Sequence, residues 1–182
     1  MLVWTKDEGY QPVRWIGTRK MSKTELEAHA NVRPVRIQTG ALGQNVPERD
    51  LTVSPQHRIL VNLKLARRLL GEDEVLVAAK HLLQVEGNEV ELNTDSATYV
   101  HFLFDRHQIV ESEGADTESL FTCPEALKTV VYASRVEILH LIPERASINY
   151  DHLPDPARPI PSGRWGRKLA NRHANNKKYL AQ

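Results

Sequence analysis

Only one cysteine, Cys123, occurs among the 182 residues. A lone thiol excludes an intramolecular disulfide framework and a four-cysteine zinc site. Long apolar runs are missing too: none reaches the roughly 18 residues that would span a membrane. The opening Met1-Leu2-Val3-Trp4-Thr5-Lys6-Asp7 is too short an apolar stretch for a secretory leader. It reads as a strand with no leader, cap or turn ahead of it. Acid is absent from one region altogether. Residues 156–182 hold Arg158, Arg164, Arg167, Lys168, Arg172, Lys177 and Lys178 but neither Asp nor Glu, so a formal net charge of +1 hides an acidic body and a basic tail. Such a tail offers a surface to an anionic partner, nucleic acid or an acidic membrane. With only Trp165 and Tyr179 available for stacking, a helix docked on its own acidic body is the simpler expectation.

What is present suffices for one core. The chain is 41% hydrophobic, and folding at this size removes roughly 70% of the unfolded surface from water, so stability needs no disulfide or structural metal. Short runs rich in Val, Ile, Leu, Tyr and Phe recur between Gly, Pro, Asn and Asp, which is the punctuation of a β-rich domain. Strands are expected at 13–16, at 32–38 (an edge or bulged strand, because Pro34 lies inside it), at 51–53 and 58–61, at 75–77, at 82–85 and 90–92 (a hairpin through Glu86-Gly87-Asn88), at 99–104 and at 108–110. Helices are few. Ser22-Lys23-Thr24-Glu25 is a capping box that opens a short helix through about Ala30. Leu63 to Leu70, stopped by Gly71, reads as another, as do Pro124 to Tyr132 and a turn or two at 136–141. Pro143, Pro154, Pro156, Pro159 and Pro161 mark a linker over 146–161, between a body at 1–145 and a basic helical tail at 162–182.

Three constellations could carry chemistry. In Ser54-Pro55-Gln56-His57 a hydroxyl precedes an imidazole by three residues across a proline-stiffened corner between strands. This arrangement can bring a hydrogen-bonding hydroxyl and a proton donor to one backbone amide, although a surface turn has the same spacing. His101, Asp105 and His107 share one strand face if the chain is extended throughout, where they could bind a metal or form an acid/base relay. The plainer alternative is a half-exposed face on which Asp105 orients His107. On that parity Val100, Phe102 and Phe104 are core. Cys123 precedes Pro124 and a helix start, a setting that could lower a thiol pKa, though an inert buried thiol fits as well.

Four stretches together resemble the bacterial branch of the Hint superfamily, which includes hedgehog autoprocessing domains and inteins. They are Gln11-Pro12-Val13-Arg14-Trp15-Ile16-Gly17, Arg49 to Val61, Val75-Leu76-Val77-Ala78-Ala79-Lys80-His81-Leu82, and Tyr99-Val100-His101-Phe102-Leu103-Phe104-Asp105-Arg106-His107. The likeness runs over about residues 1 to 142. It implies a mainly β horseshoe of pseudo-twofold strands with short helices and a C-terminal helical tail. It also implies an intramolecular reaction that needs no cofactor and no metal. In such domains a cysteine at the head of the domain attacks the preceding carbonyl and converts a peptide bond into a thioester. The histidine of a Thr-x-x-His motif, here Ser54-x-x-His57, assists departure of the amide nitrogen. A late-strand histidine matches His107, with Asp105 near it.

Two departures qualify the resemblance. The family's cysteine heads a Cys-Phe-x-x-Gly-Thr-like stretch some distance before the Gln-Pro-Val-Arg-Trp segment, and no cysteine precedes Gln11 here. The expectation is a domain lacking its nucleophile and first strand, with an unpaired edge near Trp4 to Trp15 that loosens the fold or borrows a strand in an exchanged dimer. Protein-splicing members end in His-Asn before a nucleophile, where this chain has Thr117-Glu118-Ser119. Ligation is therefore not implied, whereas cleavage from an upstream segment of the same polypeptide is. Two further readings stay open: a non-catalytic module that uses its cleft or basic tail for a partner, and a metal-dependent hydrolase built on His101, Asp105 and His107.

Overall fold

The computed structural model describes residues 1–62, 67, 71–122, 136, 138–139, 154–176 and 180. Among these, the strands are β1 (Leu2–Thr5), β2 (Gly9–Pro12), β3 (Trp15–Ser22), β4 (Val35–Ile37), β5 (Leu51–Val53), β6 (Arg58–Asn62), β7 (Glu74–Ala78), β8 (Asn88–Val90), β9 (Ser96–Leu103), β10 (Ile109–Ser112) and β11 (Ala115–Glu118). Helices are α1 (Lys23–Ala28) and α2 (Gly163–Asn176). The strands form a six-stranded sheet in the order β2-β1-β10-β11-β6-β7, a three-stranded sheet β5-β4-β8, and a β3-β9 ribbon, all antiparallel. The chain is thus mainly β with short helices, as its composition suggested.

The apolar runs Ile59-Leu60-Val61 and Val75-Leu76-Val77 lack the alternation of a half-exposed strand because both faces of β6 and β7 are covered. On one face Ile59, Val61, Val75 and Val77 join Val35, Ile37, Leu42 and Leu82 in the main core, which also takes in Ala170 of α2 and Leu180. On the other, Leu60 and Leu76 meet Ile109, with Ala157 and Ile160 packed over them. The Leu76 amide donates to the Pro159 carbonyl at 3.0 Å. Residues 154–161, expected as a linker, therefore run as a strap across the sheet. Arg158 pins the strap with bonds to Glu74 (2.6 Å) and to both carboxylate oxygens of Asp7 (2.9 and 2.7 Å). Beyond it, α2 docks on the body: a β-carbon at Gly163 or Gly166 would come within 3.1 or 3.2 Å of the His81 ring.

The capping box forms as read, with Ser22 Oγ accepting from the Glu25 amide and Glu25 accepting from the Ser22 amide. Strand β1 is paired on both sides, with β2 and β10, and β2, inside the Trp4 to Trp15 stretch where an open edge is expected, is the outer strand of the large sheet among the described residues. Other expectations need correcting. Pro34 falls just ahead of β4 rather than inside it, which frees β4 to be the central strand of its sheet. Residues 82–85 form turns whose Leu82 and Val85 point into the core. Asn88 closes that loop by donating to the Leu82 carbonyl at 2.9 Å, and β8 then pairs with β4 instead of forming a hairpin. Strand parity at β9 is opposite to the expected one: Val100 is exposed while Tyr99 and His101 are partly buried, although Phe104, beyond the strand, is core. The helix expected at 63–70 (apart from 67), that at 124–132, the stretch 136–141 apart from helical 136, 138 and 139, and the segment 146–153 lie outside the described residues.

Candidate functional site

The corner between β5 and β6 is held at Ser54, Pro55 and His57. Pro55 fixes its own φ and biases Ser54 toward extended backbone. The His57 amide donates to the Ser54 carbonyl (3.0 Å) and to Ser54 Oγ (3.2 Å). From the turn after β7, the Lys80 amide donates to the Pro55 carbonyl and the Ala79 amide to the His57 carbonyl. Ser54 Oγ thus accepts a hydrogen bond from the main chain and keeps its own hydroxyl proton to donate.

Beside the corner lies a group that only partly stood out in the sequence. Glu118, at the end of β11, accepts from the Arg58 amide (3.0 Å) and from Arg58 Nη1 at both carboxylate oxygens (3.0 and 2.8 Å). Its Oε2 also lies 3.3 Å from Nε2 of His107. That separation is a close contact short of a formed hydrogen bond, so Nε2 has no hydrogen-bond partner among the described residues. Both side chains are deep, His107 at 2% and Glu118 at 8% exposure. The Phe121 ring covers the imidazole, centroid to centroid 4.8 Å, and the Ala157 amide donates to His107 Nδ1 at 3.1 Å. Burial opposes ionisation of Glu118, but His107, the Arg58 guanidinium and His57 together outweigh it and hold the carboxyl below its ordinary value. Burial pushes His57 down; Glu118 opposes this, while His101, Arg58 and His107 add to it. The result is a neutral, proton-accepting imidazole next to a buried carboxylate.

Of the residues singled out by sequence, Ser54, His57 and His107 come together here. Asp105 does not: it pairs with Arg14 at 2.8 Å on the surface, at 64% exposure. The shared face assumed for His101, Asp105 and His107 is lost because β9 ends at Leu103 and Asp105-Arg106 form a bend. The carboxylate facing His107 is Glu118 instead. Burial, aided by Arg19, lowers the pKa of His101. Among the described residues no three His, Cys, Asp or Glu side chains are grouped to hold a metal ion. Cys123 lies outside them.

The histidines set a pH response. Burial depresses His57, His81 and His101 below the ordinary 6.5. Over that interval the unfolded chain binds protons that the folded chain refuses, so stability falls as pH drops from neutrality through 6.5 toward the depressed folded values. Thermal melts between about pH 7.5 and 5.5 are expected to show a falling midpoint, and a His57→Gln, His81→Gln, His101→Gln triple variant a flatter profile. An unchanged slope in that variant would assign the effect to other groups.

No curated protein and no solved structure matches this chain. A family model described as the Hint domain matches residues 1–124, a span that includes Ser54, His57, Arg58, His107 and Glu118 and stops short of the strap. With more than half its length in that match, and with its antiparallel sheets and short helices consistent with that fold, the chain belongs to the Hint domain family.

Proposed function

We propose that these residues are the acid/base half of a self-cleaving site acting on a peptide bond in an upstream segment of the same polypeptide. What supports the reading most is the corner: a neutral His57 held by its own amide to Ser54 and flanked by the ionised Glu118. In the proposed reaction a cysteine thiol gives its proton to His57 and its sulfur attacks the preceding carbonyl carbon. The carbon–nitrogen bond then breaks as His57 returns the proton to the departing amide nitrogen, which leaves a thioester and a free amine. Ser54 donates its hydroxyl hydrogen bond at the same amide, and Glu118 stabilises the imidazolium formed between the two transfers. No cofactor enters. The one cysteine of this sequence is Cys123 rather than a residue ahead of β1, so the 182-residue chain alone is read as silent in cleavage.

The test is to append an N-terminal reporter followed by a Cys-Phe-x-x-Gly-Thr-type segment ahead of Met1 and to follow the product by mass spectrometry with and without hydroxylamine. Release of the reporter is expected, and His57→Ala should slow it by about 10²–10⁴-fold, the usual contribution of a positioned acid/base group. A product that stays intact in hydroxylamine, or release at the same rate in His57→Ala, overturns the reading.

A further inference from the structure

We propose that Ala157, outside the Hint match, is a positioning residue of this site: its main-chain N–H locks His107 into the tautomer whose single proton sits on Nε2 and faces Glu118. A neutral imidazole has one N–H and one bare nitrogen. The bare one is identified by its partner, because a backbone amide can only donate, and the Ala157 amide donates to Nδ1 at 3.1 Å. The proton must then be on Nε2, 3.3 Å from Glu118 Oε2. Phe121 fixes the ring plane from one side. Arg58 holds the carboxylate from β6 with three bonds. Arg58, Glu118, His107 and the strap are therefore neighbours in one row, joined by bonds at each end and by the 3.3 Å contact in the middle.

The strap is built to hold its amide in place. Pro154, Pro156, Pro159 and Pro161 stiffen it by fixing φ, so little backbone freedom is lost when it docks. Arg158, the next residue after Ala157, anchors it to Glu74 of β7 and to Asp7 in the β1–β2 turn. Two residues on, the Pro159 carbonyl takes the Leu76 amide, and Ala157 and Ile160 cover Leu60, Leu76 and Ile109. A mere linker would need none of these contacts. Their common effect is to present one N–H to a histidine whose side chain is 2% exposed.

The inference is tested on the full chain without any cleavage, so its failure is separate from failure of the self-cleavage reading. Long-range proton–nitrogen NMR of the imidazoles identifies His107 by the loss of its signals in His107→Gln. The wild-type protein is expected to show one neutral tautomer, protonated at Nε2. Ala157→Gly keeps the amide and should keep that tautomer, whereas Ala157→Pro removes this donor and should give the averaged signals of both. If Ala157→Pro does not fold, Arg158→Gln provides a second route: loosening the anchor is expected to speed exchange of the Ala157 amide by about tenfold and to mix the tautomers. A wild-type proton on Nδ1, or a pure Nε2 tautomer in Ala157→Pro or Arg158→Gln, overturns the proposal.

Discussion

Glu118→Ala is expected to lower stability by about 3 kcal/mol, the low end for removing one partner of a buried ion pair, since Arg58 retains 21% exposure. The loss has identifiable sources. The variant leaves the Arg58 guanidinium and the Arg58 amide without the acceptors they have now, and it removes the charge facing His57 and His107. For a chain of this length each kcal/mol corresponds to roughly 2–4 °C, so the melting midpoint should fall by about 10 °C. The effect should depend on pH. The folded carboxyl sits below its ordinary 4.5, so its contribution is present above 4.5 and disappears as pH falls through the lower folded value. Wild-type and variant midpoints should converge in acid. A joint Arg58→Met, Glu118→Leu replacement removes both charges while keeping apolar volume, and it should recover much of the loss. Equal stability of wild type and Glu118→Ala at neutral pH would show that the pair contributes little to the fold.

Leu76→Ala carries the second large effect. Leu76 is 1% exposed and sits between Leu60, Ile109 and the underside of the strap. Deleting its isobutyl group should lower stability by about 3 kcal/mol, within the 2–5 usual for such truncations. The cavity opens beneath Ala157 and Ile160, so the loss should be uneven: amides of the strap should exchange faster, while those of β4 in the main core change less. Hydrogen exchange followed by mass spectrometry separates the two regions. Uniform acceleration across both would mean that the strap has no stability of its own to lose.

Much of this arrangement could be read before the structure, and the reasons differ by element. The Ser54 to His57 corner was legible because its determinants are local: a proline fixes one torsion and biases the one before it, and apolar runs flank both sides. The capping box was legible for the same reason. Glu118 was not singled out as a site residue, because Ala115-Asp116-Thr117-Glu118 has the composition of a surface loop. Its burial follows from β11 lying between β10 and β6, which no local pattern encodes. One signal was available. Glu113-Gly114, both at positive φ, form the two-residue turn that folds β11 back on β10, and glycine at the second position is the usual mark of such a hairpin. Asp105 is close to His107 in sequence, yet a bend after Leu103 turns it toward Arg14. The strap was obscured by composition, since a proline-rich stretch looks the same whether it is free or held. The charges of Arg158, Asp7 and Glu74 decide the matter, and they are far apart in the chain.

That separation has a consequence in time. The bond between Arg158 and Asp7 closes a span of 151 residues. Chains emerge from the ribosome beginning at their N-terminus, and contacts this distant in sequence form only once both partners have emerged. The sheets that hold Ser54, His57 and Glu118 can assemble while the tail is still being made, but His107 receives its Ala157 donor only after residue 157 has emerged. The order of synthesis therefore acts as a clock on the site, and orientation of His107 comes last.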